Sequence, residues 1–274
     1  MIRFLALVLA ASTAWGDARA DVLDAVLERG IIRLGVRADA PPFSYKDQAG
    51  APQGLAVALC NEVARKIGKG VGIEYVTVTA AERFPALAEG RTDLHCGPAS
   101  ATLTRRESLD FSILYFVDGA ALATRPGGYE VLFEERQGTI GYLRATTAKP
   151  VAEDLVARNK IDATWQTYTS HIAGLRALAD GEVDMYVGDQ AILVFQVDAM
   201  GLQDEIVVRE DLLSFEPYAL VLRRGEAGLR LAVDRALSQI YESGRIYDLI
   251  DASLGDFPLP DGANAIYQIV ALPE

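Results

Sequence analysis

The sequence predicts an α/β protein built as two lobes, each a mostly parallel sheet flanked by helices. Three observations predict it. Short β-branched apolar runs alternate with longer segments whose apolar residues recur at helical spacing, an order that implies parallel strands joined by helices. This alternation restarts after Pro126-Gly127-Gly128. The 254 of 274 residues that follow a twenty-residue leader suit two domains of ordinary size.

The leader is read from Arg3, an apolar run over 4–11 extended by small residues to Trp15, and Ala18-Arg19-Ala20 as a small-x-small cleavage pattern. The run is too short to span a bilayer. The expected mature chain begins near Asp21, carries no cysteine at the cut for a lipid anchor, and is soluble in the periplasm.

The first unit opens with a short helix over 21–29, closed by Gly30, and a buried strand over 31–36. Ala40-Pro41-Pro42-Phe43 breaks regular structure. A turn over 47–54 leads to a helix over 55–66, with Leu55, Leu59 and Val63 on one face. A strand follows over 71–78, a helix over 81–89, a short strand over 93–96 and a loop over 97–104. The second unit has strands over 139–142, 163–168 and 183–187, each followed by a helix, at 150–158, 172–178 and 190–200. A strand over 218–223 and helices over 228–243 and 246–253 close the chain.

The charge narrows the partners. Without the leader, which holds Arg3, Arg19 and Asp17, 24 basic residues stand against 37 acidic ones, a net charge of −13. Such a surface argues against nucleic acid and anionic membranes. Cys60 and Cys96 are an even pair in an oxidising compartment, which favours a disulfide over two buried thiols. With His95 and His171 they lack zinc-ligand spacing, so no metal and no cofactor are expected. His95, at the end of an apolar strand, reads as structural.

In open α/β sheets, ligands bind beyond the carboxyl ends of the strands. The loops there span 37–45, 97–105, 144–147 and 188–190. They carry Arg37 and Ser44, then Ser100, Thr102 and Arg105, then Thr146 and Thr147, then Asp189. A free amino acid presents a carboxylate and an ammonium on one carbon. Arg105 with Ser100 and Thr147 would supply the guanidinium and hydroxyls for the first, and Asp189 the carboxylate for the second. Each residue also has a plainer role available: Thr146 or Thr147 as a helix cap, Arg37 or Arg83 paired with Asp39 or Glu82.

Four segments resemble one family. GVRADAPPFSYKDQAGAPQGLAVALCNEVARKIG (35–68), GRTDLHCGPASATLTRRESLDFSILYFVDGAAL (90–122), GTIGYLRATTA (138–148) and GEVDMYVGDQAIL (181–193) are similar, in order and spacing, to the periplasmic substrate-binding proteins of amino acid ABC transporters. The resemblance implies the type II periplasmic binding fold, with a hinge between lobes. The expected division is 21–125 with 220–274 for the first lobe and 126–219 for the second, the chain crossing near 123–128 and 215–221.

The resemblance also implies roles. The Thr-x-x-Arg before an Asp-Phe-Ser run, here Thr102 to Arg105 and Asp110 to Ser112, brings Arg105 to the ligand α-carboxylate. Asp189 takes the α-ammonium, and Ala145-Thr146-Thr147 stands for the family's Gly-Thr-Thr loop. Three departures stand out: Ala145 for a common glycine, Pro98 where relatives use a backbone N–H, and Ala58 for a frequent aspartate. Arg37 and Arg83 resemble the glutamate/aspartate members, where such arginines help neutralise a second carboxylate; converging arginines need an anion among them. The expected function is capture of an amino acid, glutamate or aspartate, by a monomer that delivers it to a membrane permease. The alternatives are a dehydratase-like periplasmic enzyme on the same fold, with Asp189 and Glu216 as its candidate acids, or a soluble partner of a sensor.

Overall fold

The computed structural model describes residues 21–259 and 263–274. The expected leader lies outside the described residues. Helix α1 (Val22–Arg29) starts at Asp21, whose Oδ1 accepts from Leu23 N, and ends at the left-handed Gly30. Strand β1 (Ile31–Val36) follows with the predicted bounds. Strands β2 (Asp39–Ala40), β3 (Ser44–Lys46) and β4 (Pro52–Gln53) form a small antiparallel sheet. Then come α2 (Leu55–Ile67), β5 (Gly72–Thr77), α3 (Arg83–Ala88), β6 (Leu94–Cys96), α4 (Leu103–Arg106) and the long β7 (Leu109–Asp118).

The chain now enters the second lobe through β8 (Ala120–Thr124), α5 (Gly128–Glu135), β9 (Gln137–Leu143), α6 (Ala148–Asn159) and β10 (Asp162–Tyr168). α7 (His171–Ala179), β11 (Met185–Asp189), α8 (Gln190–Met200) and β12 (Val207–Val208) complete it. The return runs through β13 (Glu216–Arg223), α9 (Ala227–Glu242), α10 (Arg245–Leu254) and α11 (Ala263–Val270).

Two five-stranded sheets result, β5-β1-β6-β13-β7 and β10-β9-β11-β8-β12. In each, three neighbouring strands pair in parallel, and the fourth runs antiparallel to both the third and the fifth. The fourth strand of each sheet is the one that has just crossed from the other lobe. This pairing moves the expected crossings. β8 belongs to the second sheet, so 120–125 leaves the expected first lobe. The start of β13 belongs to the first sheet, so 216–219 leaves the expected second lobe. Pro126-Gly127-Gly128 opens α5 inside the second lobe.

The switch falls at Gly119, where a Cβ would stand 2.4 Å from the Ser214 carbonyl oxygen of the returning chain. The two crossings bond side by side: Leu213 N donates to Ala120 O at 2.7 Å and Ala120 N to Ser214 Oγ at 3.2 Å.

The main core lies between the first sheet and α2, α9 and α10, and takes in Ala191 and Ile192 of α8. Cys60 of α2 and Cys96 of β6 form a disulfide across it, as the sequence favoured. A smaller cluster under α3 covers the other face, and two clusters cover the faces of the second sheet. Among the described residues no helix is long and apolar enough to cross a membrane.

Candidate functional site

The strand ends of the two sheets face each other across a closed cleft. Arg37 follows β1 and is buried. Its backbone N–H donates to Ser44 Oγ at 2.9 Å, so Ser44 holds the loop. Its Nε donates to Asp39 Oδ1 at 2.8 Å, and Nη2 lies 2.7 Å from the same oxygen. Arg37 is thus already neutralised by its neighbour. Across the cleft, the first residue of α7, His171, is buried near this pair. Burial, then the Arg37 charge, pushes its imidazole down to about 4.

Arg83 is different. It lies at the start of α3 and is 2 % exposed. Its Nη1 donates to Ala80 O, and its Nη2 donates at 2.9 Å to the carbonyl of Ala145, in the other lobe. Its Nε has no partner and no carboxylate lies within ion-pair distance among the described residues. The guanidinium rests 4.2 Å above the Phe84 ring. Burial, then the charges of Arg105 and Arg37, holds it well below the usual guanidinium range.

Arg105 sits on α4, whose N-cap is Thr102. Thr102 Oγ1 accepts from Arg105 N at 3.2 Å, so the family-matched threonine is a cap that sets the arginine. Arg105 Nη1 donates to Ser100 O at 3.0 Å, and the guanidinium stands 5.2 Å from the Phe84 ring. Ser100 is buried and bridges to Tyr218 through its backbone. Burial lowers the Arg105 pKa while the charges of Asp189 and Glu216 work the other way.

His95 on β6 lies among these arginines with both ring nitrogens unpartnered. Burial, then Arg83 and Arg37, keeps it neutral. A Cβ on Gly97 would approach its ring to 3.1 Å and Arg37 Cγ to 3.2 Å, so any larger residue would press on both side chains. The sequence alone read His95 as a structural residue, with no hint of its cationic neighbours.

The second lobe supplies the opposite charge. Ala145 takes a left-handed φ of 62°, the conformation a glycine would adopt without strain. Thr146 Oγ1 donates to Leu143 O at 2.7 Å and accepts from Ala148 N at 3.4 Å, so its hydroxyl is used within its own loop. Thr147 is the N-cap of α6 but makes no side-chain cap bond. Asp189 ends β11 and precedes α8. Its Oδ2 accepts from Tyr218 Oη at 2.5 Å. Burial, then Glu216, pushes its carboxyl up to about 6.

Two further residues belong to this cluster. Asp118, at the end of β7, accepts from Gly119 N at 2.9 Å and from Ala191 N at 3.3 Å, and its Oδ2 is 3.4 Å from Tyr218 Oη. Glu216 accepts from Ser214 Oγ at 2.9 Å. A charged side chain within the apolar run 109–124 was the signal for Asp118. At the cleft edge, Thr79–Glu82 and Arg144 with Thr169 line a cavity of about 230 Å³ between the lobes.

Two lobes that meet over buried arginines on one side and a buried carboxylate on the other define a small-molecule receptor of the periplasmic binding type. The chain belongs to the bacterial extracellular solute-binding proteins, family 3, whose sequence model matches residues 32–256. It is 26% identical over 255 residues, 90% of this chain and 84% of the other, to an L-glutamate/L-aspartate-binding protein of Pseudomonas aeruginosa. It is 28% identical over 227 residues to a glutamate/glutamine/aspartate/asparagine-binding protein of Rhodobacter capsulatus, covering 81% of this chain and 67% of that one. Among solved structures it is similar to a cysteine-binding protein from Campylobacter jejuni, with a TM-score of 0.77 at 23% identity, over 88% of this chain and 96% of the other. It is also similar to an ancestral amino acid-binding protein described as a precursor of cyclohexadienyl dehydratase, with a TM-score of 0.74 at 24% identity, over 86% and 100%. At these identities the structural likenesses concern the fold.

Proposed function

We propose that this protein is a periplasmic receptor that closes on L-glutamate or L-aspartate and delivers it to an ABC transporter permease, without chemistry of its own. One observation carries the acidic assignment. Arg83 and Arg105 are two guanidiniums with no carboxylate at ion-pair distance, and Asp189 faces them from the other lobe. Two free cations and one anion complement a molecule with two carboxylates and one ammonium. An unpaired buried guanidinium is costly, and a ligand carboxylate relieves that cost. Arg105 takes the α-carboxylate, with Thr147 nearby. Asp189 takes the ammonium. Arg83 takes the side-chain carboxylate and already touches both lobes, so it couples that contact to closure.

Arg37 contributes less directly in this reading, because Asp39 pairs its charge, although Nη2 has no well-aligned hydrogen bond. Ser44, Thr102 and Thr146 support the site through backbone bonds. The relatives named for glutamate and aspartate support the class of ligand. The test is calorimetric titration of refolded, ligand-free protein with an amino acid panel. L-glutamate or L-aspartate is expected to bind tightly, their amides more weakly, and cationic amino acids not at all. No binding by any amino acid sinks the receptor; binding of neutral or cationic ones alone sinks the acidic assignment and leaves the receptor standing.

A further inference from the structure

The hydroxyl of Tyr218 lies between two buried carboxylates that come from opposite sides of the crossing. Asp118 ends the last strand of the first sheet before the chain changes lobe, and Asp189 ends β11 in the second sheet. Tyr218 Oη is 2.5 Å from Asp189 Oδ2 and 3.4 Å from Asp118 Oδ2. A phenol has one proton to give, and the shorter contact assigns it to Asp189. The phenol oxygen is then left as an acceptor facing Asp118. An ionised Asp118 would set lone pairs against lone pairs, with no cation at ion-pair distance among the described residues. A protonated Asp118 would complete the chain of hydrogen bonds.

We propose that Asp118 is a positioning residue which, carrying its proton, donates to Tyr218 and through it fixes Asp189 as the anion that receives the ligand ammonium. This rests on the receptor reading given above. The groups around Asp118 agree with it. On its own strand lies Tyr115, from the opposite end of the crossing comes Asp189, and from β13 come Tyr218 and Glu216, the last bearing on Asp189. The cations Arg105 and Arg83 act on Asp189. The charged neighbour that acts on Asp118 is thus another acid, while the N–H groups of Gly119 and Ala191 work the other way. Burial, then Asp189, pushes its carboxyl up to about 8, while Asp189 stays near 6. Both carboxyls are thus raised, so the pair holds a proton more tightly than free carboxylates do, and the shorter Tyr218 contact on Asp189 puts that proton on Asp118. Because Asp118 also accepts from Ala191 N of α8, the same chain of bonds spans the closed crossing.

The experiment compares wild type, Asp118→Asn and Asp118→Leu across pH 7 to 9 by titration with L-glutamate. Asparagine can donate Nδ2–H to Tyr218 without titrating. Wild-type affinity is expected to fall about tenfold more than that of Asp118→Asn by pH 9, since the group ionises near 8. Asp118→Asn keeps the pH 7 affinity and Asp118→Leu loses it at every pH. Identical pH profiles for wild type and Asp118→Asn, or equal losses in both variants at pH 7, overturn the proposal. Infrared difference spectra of ligand-free protein provide an independent readout. They should show one protonated carboxyl at pH 7 that disappears by pH 9 and is absent in Asp118→Asn. If no amino acid binds wild type, the receptor reading fails, and the infrared band still decides the protonation of Asp118.

Discussion

The two lobes share one topology and carry opposite chemistry. In the first sheet the loops after β1 and β6, with α3, bring Arg37, Arg105 and Arg83 to the cleft. In the second sheet the matching loops after β9 and β11 bring Thr146, Thr147 and Asp189. The cations are packed against aromatic and apolar side chains, and the first lobe is stapled by a disulfide close to them. The second lobe contributes backbone carbonyls, hydroxyls and one carboxylate. The same strand geometry can therefore be read with either sign of charge, and what sets the sign is the few residues after each strand. Binding complementary groups from two lobes makes ligand capture and closure one event.

That contrast can be broken most directly at its strongest cation. Arg105→Ala should weaken L-glutamate binding by about 2–5 kcal/mol, because a desolvated carboxylate loses its partner. Titration calorimetry measures it, and near-wild-type affinity would remove Arg105 from the site. The disulfide sharpens the contrast in stability. The Cys60 to Cys96 separation of 36 residues gives roughly 4 kcal/mol by the loop-closure relation. Cys60→Ala with Cys96→Ala should lower the urea midpoint and increase hydrogen exchange in β1, β6 and α2. Loss of protection centred on β9 and β10 would contradict the assignment of the staple to the first lobe.

A smaller effect separates charge from shape. Arg83→Gln should cost L-glutamate about 1.5–3 kcal/mol more than it costs L-glutamine, the range for a hydrogen bond to a charged group. Equal losses for the two ligands would mean that Arg83 serves closure alone. A further effect falls on ligand-free stability. Asp118 and Asp189 are raised to about 8 and about 6, above the ordinary carboxylate range. The folded chain holds these protons more tightly than the unfolded chain. Their contribution is therefore fully favourable below about pH 4 and declines as pH rises through 6 and 8. Asp118→Asn should flatten the upper part of that decline in urea melts at pH 5 to 9. A slope identical to wild type would show that Asp118 does not titrate in this range.

Most of the fold was legible in the sequence because its elements are short, periodic and punctuated. β1 and α8 have the bounds predicted for them, and α2 extends its predicted range by one residue. What escaped was the passage from 109 to 124. Leu109 to Asp118 is buried or half-buried on both faces, so it has no alternation to read. A single Gly119 then changes lobe, and its necessity comes from a neighbouring carbonyl 95 residues away in sequence, at Ser214. Pro126-Gly127-Gly128 was the stronger local signal, and it marks a helix start.

The site was legible in residue type more than in role. Motif spacing brought Arg105 and Asp189 to facing positions. It could not tell that Thr146 bonds its own loop, that Thr102 caps α4, or that Asp39 claims Arg37, since each needs a distance. Tyr218 and Asp118 were missed because their importance arises from a third residue, Asp189, in another lobe.

The bonded crossings have a mechanical consequence. Gly119 and Ser214 lie in direct contact, and Ala120 is tied to both Leu213 and Ser214. Two separate ribbons would let the lobes twist and slide as well as bend. Two ribbons laced together behave as one strap, stiff to shear and compliant about a single line. The door between the lobes then swings on one pin, and a ligand can enter only on the side facing away from it.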